Sequence, residues 1–241
     1  MLERGYYTMS IVLGTTAALV SAGGAIAAVS EFMYKLFDWK EEIKESELEE
    51  VINILNNNGI IIFPTETVYG IGGNAMSNEV IDKVYIAKQR PRSKAVNILV
   101  KNKNEIEKYA NISSDIERKI IENFMPGPIT IILEKKDGFG SGFTQDDNTI
   151  GVRIPDNKII NTILDKIEFP LIAPSANISD RPSGLNVSQI AKDFKDSVDA
   201  IIDGGDAKIG FSSTIVKVEN GEIKILREGK ITKEEILEKI K

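Results

Sequence analysis

The sequence predicts an α/β fold: one domain built on a twisted mixed sheet flanked by helices. Three observations carry this. From Ser46 onward, segments of helical period alternate with short apolar runs. The late strand-like runs at 200–203, 214–218 and 223–226 follow one another without a helix, which predicts a mixed rather than purely parallel sheet. And 241 residues with 42% hydrophobic and 27% charged side chains suit a single buried core.

The elements follow in order. Ser46-x-x-Glu49 reads as a capping box ahead of Leu48, Val51, Ile52 and Leu55, an amphipathic helix ended by the Asn-Asn-Asn-Gly of 56–59. Residues 60–63 form a strand stopped by Pro64. Ser77 is an N-cap for a helix carrying Val80, Ile81, Val84 and Tyr85 on one side, and Arg90-Pro91 forbids its continuation. A strand is expected at 96–100, then helices at 103–110 and 115–125, the second stopped by Pro126-Gly127-Pro128. Strands at 129–133 and 150–154, a helix at 159–167, a short strand at 171–173 and a helix including 190–194 come next. After the late strands, 233–241 is the final helix.

Composition bounds the chemistry. A net charge of −6 argues against a general nucleic-acid binder, which carries a basic excess. With no Cys and no His, the chain has no thiol or imidazole nucleophile, no His base, no disulfide and no Cys/His zinc site. Lys, Arg, Ser, Thr, Asn and carboxylates must do the work, with Mg²⁺ as the hard cation such a site would recruit. The domain is therefore expected in the cytoplasm.

The N-terminus departs from this pattern. Residues 5–30 carry no charge, long enough to span a bilayer but rich in Gly, Ala, Ser and Thr. A membrane anchor, a signal peptide and an extension outside the working protein all remain open; the reading favours the extension, residues 1–36, with the domain over 37–241.

The most informative stretch is GIIIFPTETVYGIGG at 59–73, followed by KVYIAKQRPRSKAVN at 83–97. An apolar strand delivers Thr65, Thr67 and Tyr69 to its mouth, beside Lys83, Lys88, Arg90, Arg92 and Lys94 with no acid among them. Hydroxyls next to fixed positive charge suit a small polyanion, although a charge run is also what a solvated helix face looks like. Gly70-Ile71-Gly72-Gly73-Asn74-Ala75 fits the Gly-x-Gly-x-x-Ala dinucleotide pattern, but Pro64 to Tyr69 separate it from the strand and the next N-cap comes only at Ser77, so a nucleotide cradle of that kind is not expected. No Walker A sequence is present.

PTETVYG at 64–70, followed by Lys88-x-Arg90, resembles the YrdC/Sua5 family of threonylcarbamoyl-AMP synthases. PGPIT at 126–130, TIGVRIP at 149–155, APSANIS at 173–179, SSTIV at 212–216 and LREG at 226–229 recur in the family's order. The resemblance implies a YrdC-like fold over about 37–229, without the C-terminal domain of longer Sua5 proteins. It implies a reaction joining L-threonine, bicarbonate and ATP into threonylcarbamoyl-AMP and pyrophosphate, for modification of tRNA. Its nucleophile, the N-carboxythreonine carboxylate, is already anionic, so a site without His needs no base to prepare it; charge neutralisation and alignment are what the protein supplies.

Carried over residue by residue, the resemblance implies catalytic roles for Lys88 and Arg90, threonine contacts from Thr67, Arg153, Ser175 and Ser213, and nucleotide contacts from Lys88, Arg90, Lys94, Thr149, Asn177 and Arg227. No metal ligand is implied. Leu99 stands where some relatives have His, and Leu185 where they often have Thr. A YciO-like paralogue, or an RNA-binding module on the same fold, are the alternatives. A binder of RNA would interleave aromatics with its cations, and only Tyr85 lies within 83–94.

Overall fold

A computed structural model describes residues 34–137, 139, 143 and 148–241. In chain order the elements are β1 (Lys35–Asp38), α1 (Glu45–Asn56), β2 (Ile61–Phe63), β3 (Gly70–Gly72), α2 (Asn78–Ala87), β4 (Asn97–Leu99), α3 (Lys103–Tyr109), β5 (Ala110–Asn111), α4 (Asp115–Phe124), β6 (Ile129–Lys135), β7 (Thr149–Arg153), α5 (Lys158–Lys166), β8 (Leu171–Ile172), α6 (Val187–Phe194), β9 (Ala200–Asp203), β10 (Thr214–Glu219), β11 (Glu222–Arg227) and α7 (Lys233–Lys239). The uncharged stretch at 5–30 lies outside the described residues, and among those residues no helix is long and apolar enough to cross a membrane.

The strands form two mixed sheets where the sequence reading expected one. The smaller runs β1-β9-β2-β3, with β1 and β2 parallel to β9 and β3 antiparallel to β2. The larger runs β11-β10-β6-β7-β4-β8, with β5 beside β6; parallel β10–β6 and β4–β7 pairs alternate with antiparallel neighbours. Strand β1, which the sequence reading did not expect, begins at Lys35, so the boundary drawn at 37 falls inside it; Phe37 packs beside Trp39.

Helices form where their apolar stripes can be buried. Val51 and Leu55 of α1 and Ile160 and Ile163 of α5 pack with Phe63 and Ile202. Val80, Ile81 and Val84 of α2 join Ile62, Ile71 and Ile98. Ser77 caps α2 as expected, its side chain accepting from Val80 N–H. The capping box at Ser46 does not form: α1 starts at Glu45 after Lys44, which makes no side-chain cap, and Ser46 lies within the first turn. Glu45 and Glu47 in that turn complement the helix dipole instead. True capping boxes sit at Ser114/Glu117 and Thr232/Glu235.

The two sheets meet where β3 crosses the end of β8. Ile172 N–H donates to Gly73 O at 3.0 Å, Ile71 N–H to Pro174 O at 3.0 Å and Ala176 N–H to Tyr69 O at 2.7 Å. A Cβ at Gly72 would lie 1.6 Å from Ile172 O, so only glycine allows this approach. The Gly-x-Gly is therefore a strand at a sheet seam, not a phosphate loop. The seam fixes the Ser175 turn beside the mouth of β2.

Candidate active site

A cavity of about 320 Å³ opens against this seam, walled by residues of both sheets. Phe63, Thr65 and Tyr69 come from the β2–β3 segment, Thr130 from β6, Thr149 and Arg153 from β7, and Ser175 from the turn after β8. Arg90 enters from the loop after α2, Ser213 from just before β10 and Arg227 from the end of β11. Arg90, Thr149, Arg153, Ser175, Ser213 and Arg227, six of the residues named from the sequence, thus line one cavity.

Three guanidiniums face one space. Arg90 Nε donates to Lys94 O at 3.0 Å and Nη2 to Ala95 O at 2.6 Å. Arg227 donates from Nε and Nη2 to Ser213 O, at 3.0 and 2.8 Å, and from Nη2 to Ser213 Oγ at 3.0 Å. Arg153 Nε donates to Gly127 O at 3.2 Å, and Nη2 to Glu66 Oε1 at 2.6 Å. Burial pushes the Arg227 guanidinium down, with the nearby Arg153 and Arg90 adding to the effect; burial does the same to Arg90. Like charges gathered on one cavity wall favour an anion there.

Hydroxyls complete the wall. Thr130 Oγ1 and Ser213 Oγ lie 2.8 Å apart and share one hydrogen, while Ser213 Oγ also accepts from Arg227. Of the pair's two hydroxyl hydrogens, one is left for a ligand. Ser175 Oγ donates to Asn177 Oδ1 at 2.6 Å, so its lone pairs remain to accept from the cavity.

Four implied residues stand elsewhere. Lys88 is 1% exposed and does not line the cavity; its Nζ donates to Ser175 O, to Asn177 O at 2.6 Å and to Asn177 Oδ1 at 3.5 Å. The lysine follows the last turn of α2, which aims it under the Ser175 turn rather than into the open space. Burial, and then Arg90, push its ammonium down to about 7. Asn177 spends its amide inside the same turn, on Ile178 O at 2.9 Å and Arg181 O at 2.7 Å. Thr67 is fully buried, its hydroxyl 2.8 Å from that of Thr65, and Thr65 takes the wall position. Lys94 pairs with exposed Asp180 at 2.6 Å. Of the other basic-segment residues, Lys83 bonds Glu79 at 2.7 Å, and Arg92 pairs with Asp82 and covers the Tyr85 ring. Only Arg90 of that segment lines the cavity.

Thr130, Lys217 and Tyr69 line the cavity without having been assigned. The two-residue alternation Ser213, Ile215, Lys217 along β10 was the available signal for Lys217. Among the described residues no carboxylate lines the cavity and no group of three His, Cys, Asp or Glu could hold a metal. The described lining residues thus offer no carboxylate to a Mg²⁺ ion.

Residues 53–229 match the Sua5/YciO/YrdC family model, described as "Telomere recombination". A Methanocaldococcus jannaschii protein named provisionally as threonylcarbamoyl-AMP synthase is 42% identical over 197 residues, 82% of this chain and 92% of its own length. Bacillus subtilis threonylcarbamoyl-AMP synthase is 31% identical over 80% of this chain, which spans 56% of that longer protein. The structure of Pyrococcus abyssi Sua5 complexed with L-threonine superposes with a TM-score of 0.81 at 31% identity, over 85% of this chain and 60% of that one. With its six motifs drawn onto one seam and one cavity, the chain belongs to the Sua5/YciO/YrdC family.

Proposed function

We propose that this chain is an L-threonylcarbamoyladenylate synthase, a nucleotidyltransferase that converts L-threonine, bicarbonate and ATP into threonylcarbamoyl-AMP, pyrophosphate and water, the water lost as bicarbonate joins the amine, for N6-threonylcarbamoyladenosine formation in tRNA. The convergence of Arg90, Arg153 and Arg227 on a hydroxyl-lined cavity carries the reading, because the reaction brings a carboxylate and a triphosphate together. The N-carboxythreonine oxygen attacks the α-phosphorus, the bond to the β-phosphate bridging oxygen breaks, and pyrophosphate leaves with that electron pair. No proton moves at the attacking oxygen, which suits a wall of guanidiniums and hydroxyls without a base.

Arg90 and Arg227 are assigned to the phosphates, with Thr149 beside them, and Arg153, Ser175 and Ser213 to threonine. Lys88, Asn177 and Thr67 act behind the wall, by holding Ser175 and Thr65 in place. Mg²⁺ is assigned to the ATP rather than to a protein site. Cytoplasmic ATP and threonine, and hand-over of the adenylate to tRNA-modifying partners, complete the reading. Pyrophosphate release from ATP tests it: release should require both threonine and bicarbonate, and release independent of threonine would reject it.

A further inference from the structure

Four cations line the cavity, and their partners differ. Arg90 and Arg227 donate only to neutral oxygens, of Lys94 and Ala95 and of Ser213. Lys217 pairs with half-exposed Glu219 at 2.8 Å. Arg153 alone carries a buried carboxylate: Glu66 Oε1 lies 2.6 Å from Nη2, with side chains only 7% and 8% exposed. Glu66 Oε2 is buried without a hydrogen-bond partner among the described residues, so the carboxylate's charge is offset chiefly by the guanidinium.

The guanidiniums therefore differ in their surroundings: among the described residues Arg90 and Arg227 have no carboxylate bonded to them, whereas the charge of Arg153 is offset by Glu66 while its N–H donors remain. Nη1 of Arg153 has no partner among the described residues and is the edge left for a ligand. A near-neutral pair can still hold a single carboxylate by hydrogen bonds, but it attracts a polyphosphate far less than an unpaired guanidinium does.

Resting on the assignment of Arg153 to threonine, we infer that Glu66 is a specificity-determining residue that makes Arg153 a poor seat for polyphosphate and reserves it for the amino acid. Glu66 touches no substrate in this role. It acts through the charge it places on Arg153, and it keeps two anionic substrates from competing for one seat.

Inorganic tripolyphosphate and threonine, titrated calorimetrically into the full chain, test this. In the wild type, saturating tripolyphosphate should weaken threonine binding by less than about threefold, because the two take different guanidiniums. In Glu66→Gln, which keeps an oxygen for Nη2 but loses the charge, tripolyphosphate should raise the apparent threonine Kd about tenfold or more, in a competitive pattern. Glu66→Asp, with the charge retained on a shorter arm, should weaken threonine binding without introducing competition. Competition in the wild type, or in Glu66→Asp, overturns the inference, as does a folded Glu66→Gln that shows none. If Glu66→Gln does not fold, the wild-type and Glu66→Asp titrations still decide. A wild type that binds tripolyphosphate but no threonine would instead overturn the synthase reading on which the inference rests.

Discussion

Lys88 Nζ lies 2.6 Å from the carbonyl oxygen of Asn177 and also donates to the carbonyl of Ser175, so one buried ammonium holds both ends of the Ser-Ala-Asn turn. Three acceptors surround it, and only the protonated amine has three hydrogens to give. The lysine of the motif thus bonds a residue of the cavity wall, Ser175, without lining the cavity itself.

Stability should carry the titration of this group. Its folded value, about 7, is depressed from 10.5, so between these values the unfolded chain binds more protons and stability rises with pH. The full cost of burying the ammonium applies below about pH 7. Wild type compared with Lys88→Met should therefore gain about 1–2 kcal/mol between pH 7 and pH 9. Denaturant melts at both pH values check this, and a difference that is flat or falls with pH would remove Lys88 as its source. At pH 7 Lys88→Met should also lose synthase activity while Ser175 remains chemically intact.

Removal of single cations should separate the wall from its surroundings. Arg90→Ala should lower turnover about 10²-fold or more, the usual effect of losing a preorganised donor at developing charge. Lys94→Ala breaks only the half-exposed pair with Asp180 and should stay within about threefold of wild type, since such pairs contribute little. Steady-state pyrophosphate release, with melting temperatures measured alongside, distinguishes the two. Equal losses would mean that Lys94 reaches the ligand.

Most of the architecture was legible because it depends on local signals. Apolar runs, Ser77, and the prolines after α2 and α4 placed the elements to within a few residues. The separation into two sheets was not legible, because β3 is three residues with two glycines and shows no strand pattern; its place is decided by contact with β8. The site divided in the same way. Motif order brought six of ten assigned residues to the wall, but which hydroxyl or cation faces inward depends on side-chain direction, as Thr65 against Thr67 and Arg90 against Lys88 show. Glu66 was invisible as a partner because Arg153 lies 87 positions away.

The seam itself can be tested at Gly72. Adding a Cβ 1.6 Å from Ile172 O forces two backbones apart and breaks the Ile172 N–H bond to Gly73 O. Gly72→Ala should cost about 3 kcal/mol, or roughly 6–12 °C in Tm for a domain of this size. It should weaken threonine binding as well, because Ser175 hangs from the same seam. A Gly72→Ala protein with wild-type stability would mean that the sheets do not meet there.

Substrate choice should rest on the hydroxyl network. Ser175 Oγ has committed its hydrogen to Asn177, so it can only accept; the Thr130–Ser213 pair has one hydrogen to donate. Threonine's hydroxyl can satisfy either, and valine's methyl can satisfy neither. Valine in that position would bury polar groups without partners, and sites of this kind reject such an isostere by about 10⁴-fold or more. Ser175→Ala should therefore lose threonine kcat/KM while narrowing the threonine-to-valine ratio, since the acceptor that valine would leave unpaired is gone. Replacing Thr130 with valine should act on the other half of the network: Ser213 keeps its bond from Arg227 and regains its own hydrogen, so the ratio should fall less than in Ser175→Ala. Pyrophosphate release measured with each amino acid across the three proteins gives both ratios. A wild type that uses valine and threonine equally well would show that these hydroxyls hold the wall together and recognise nothing.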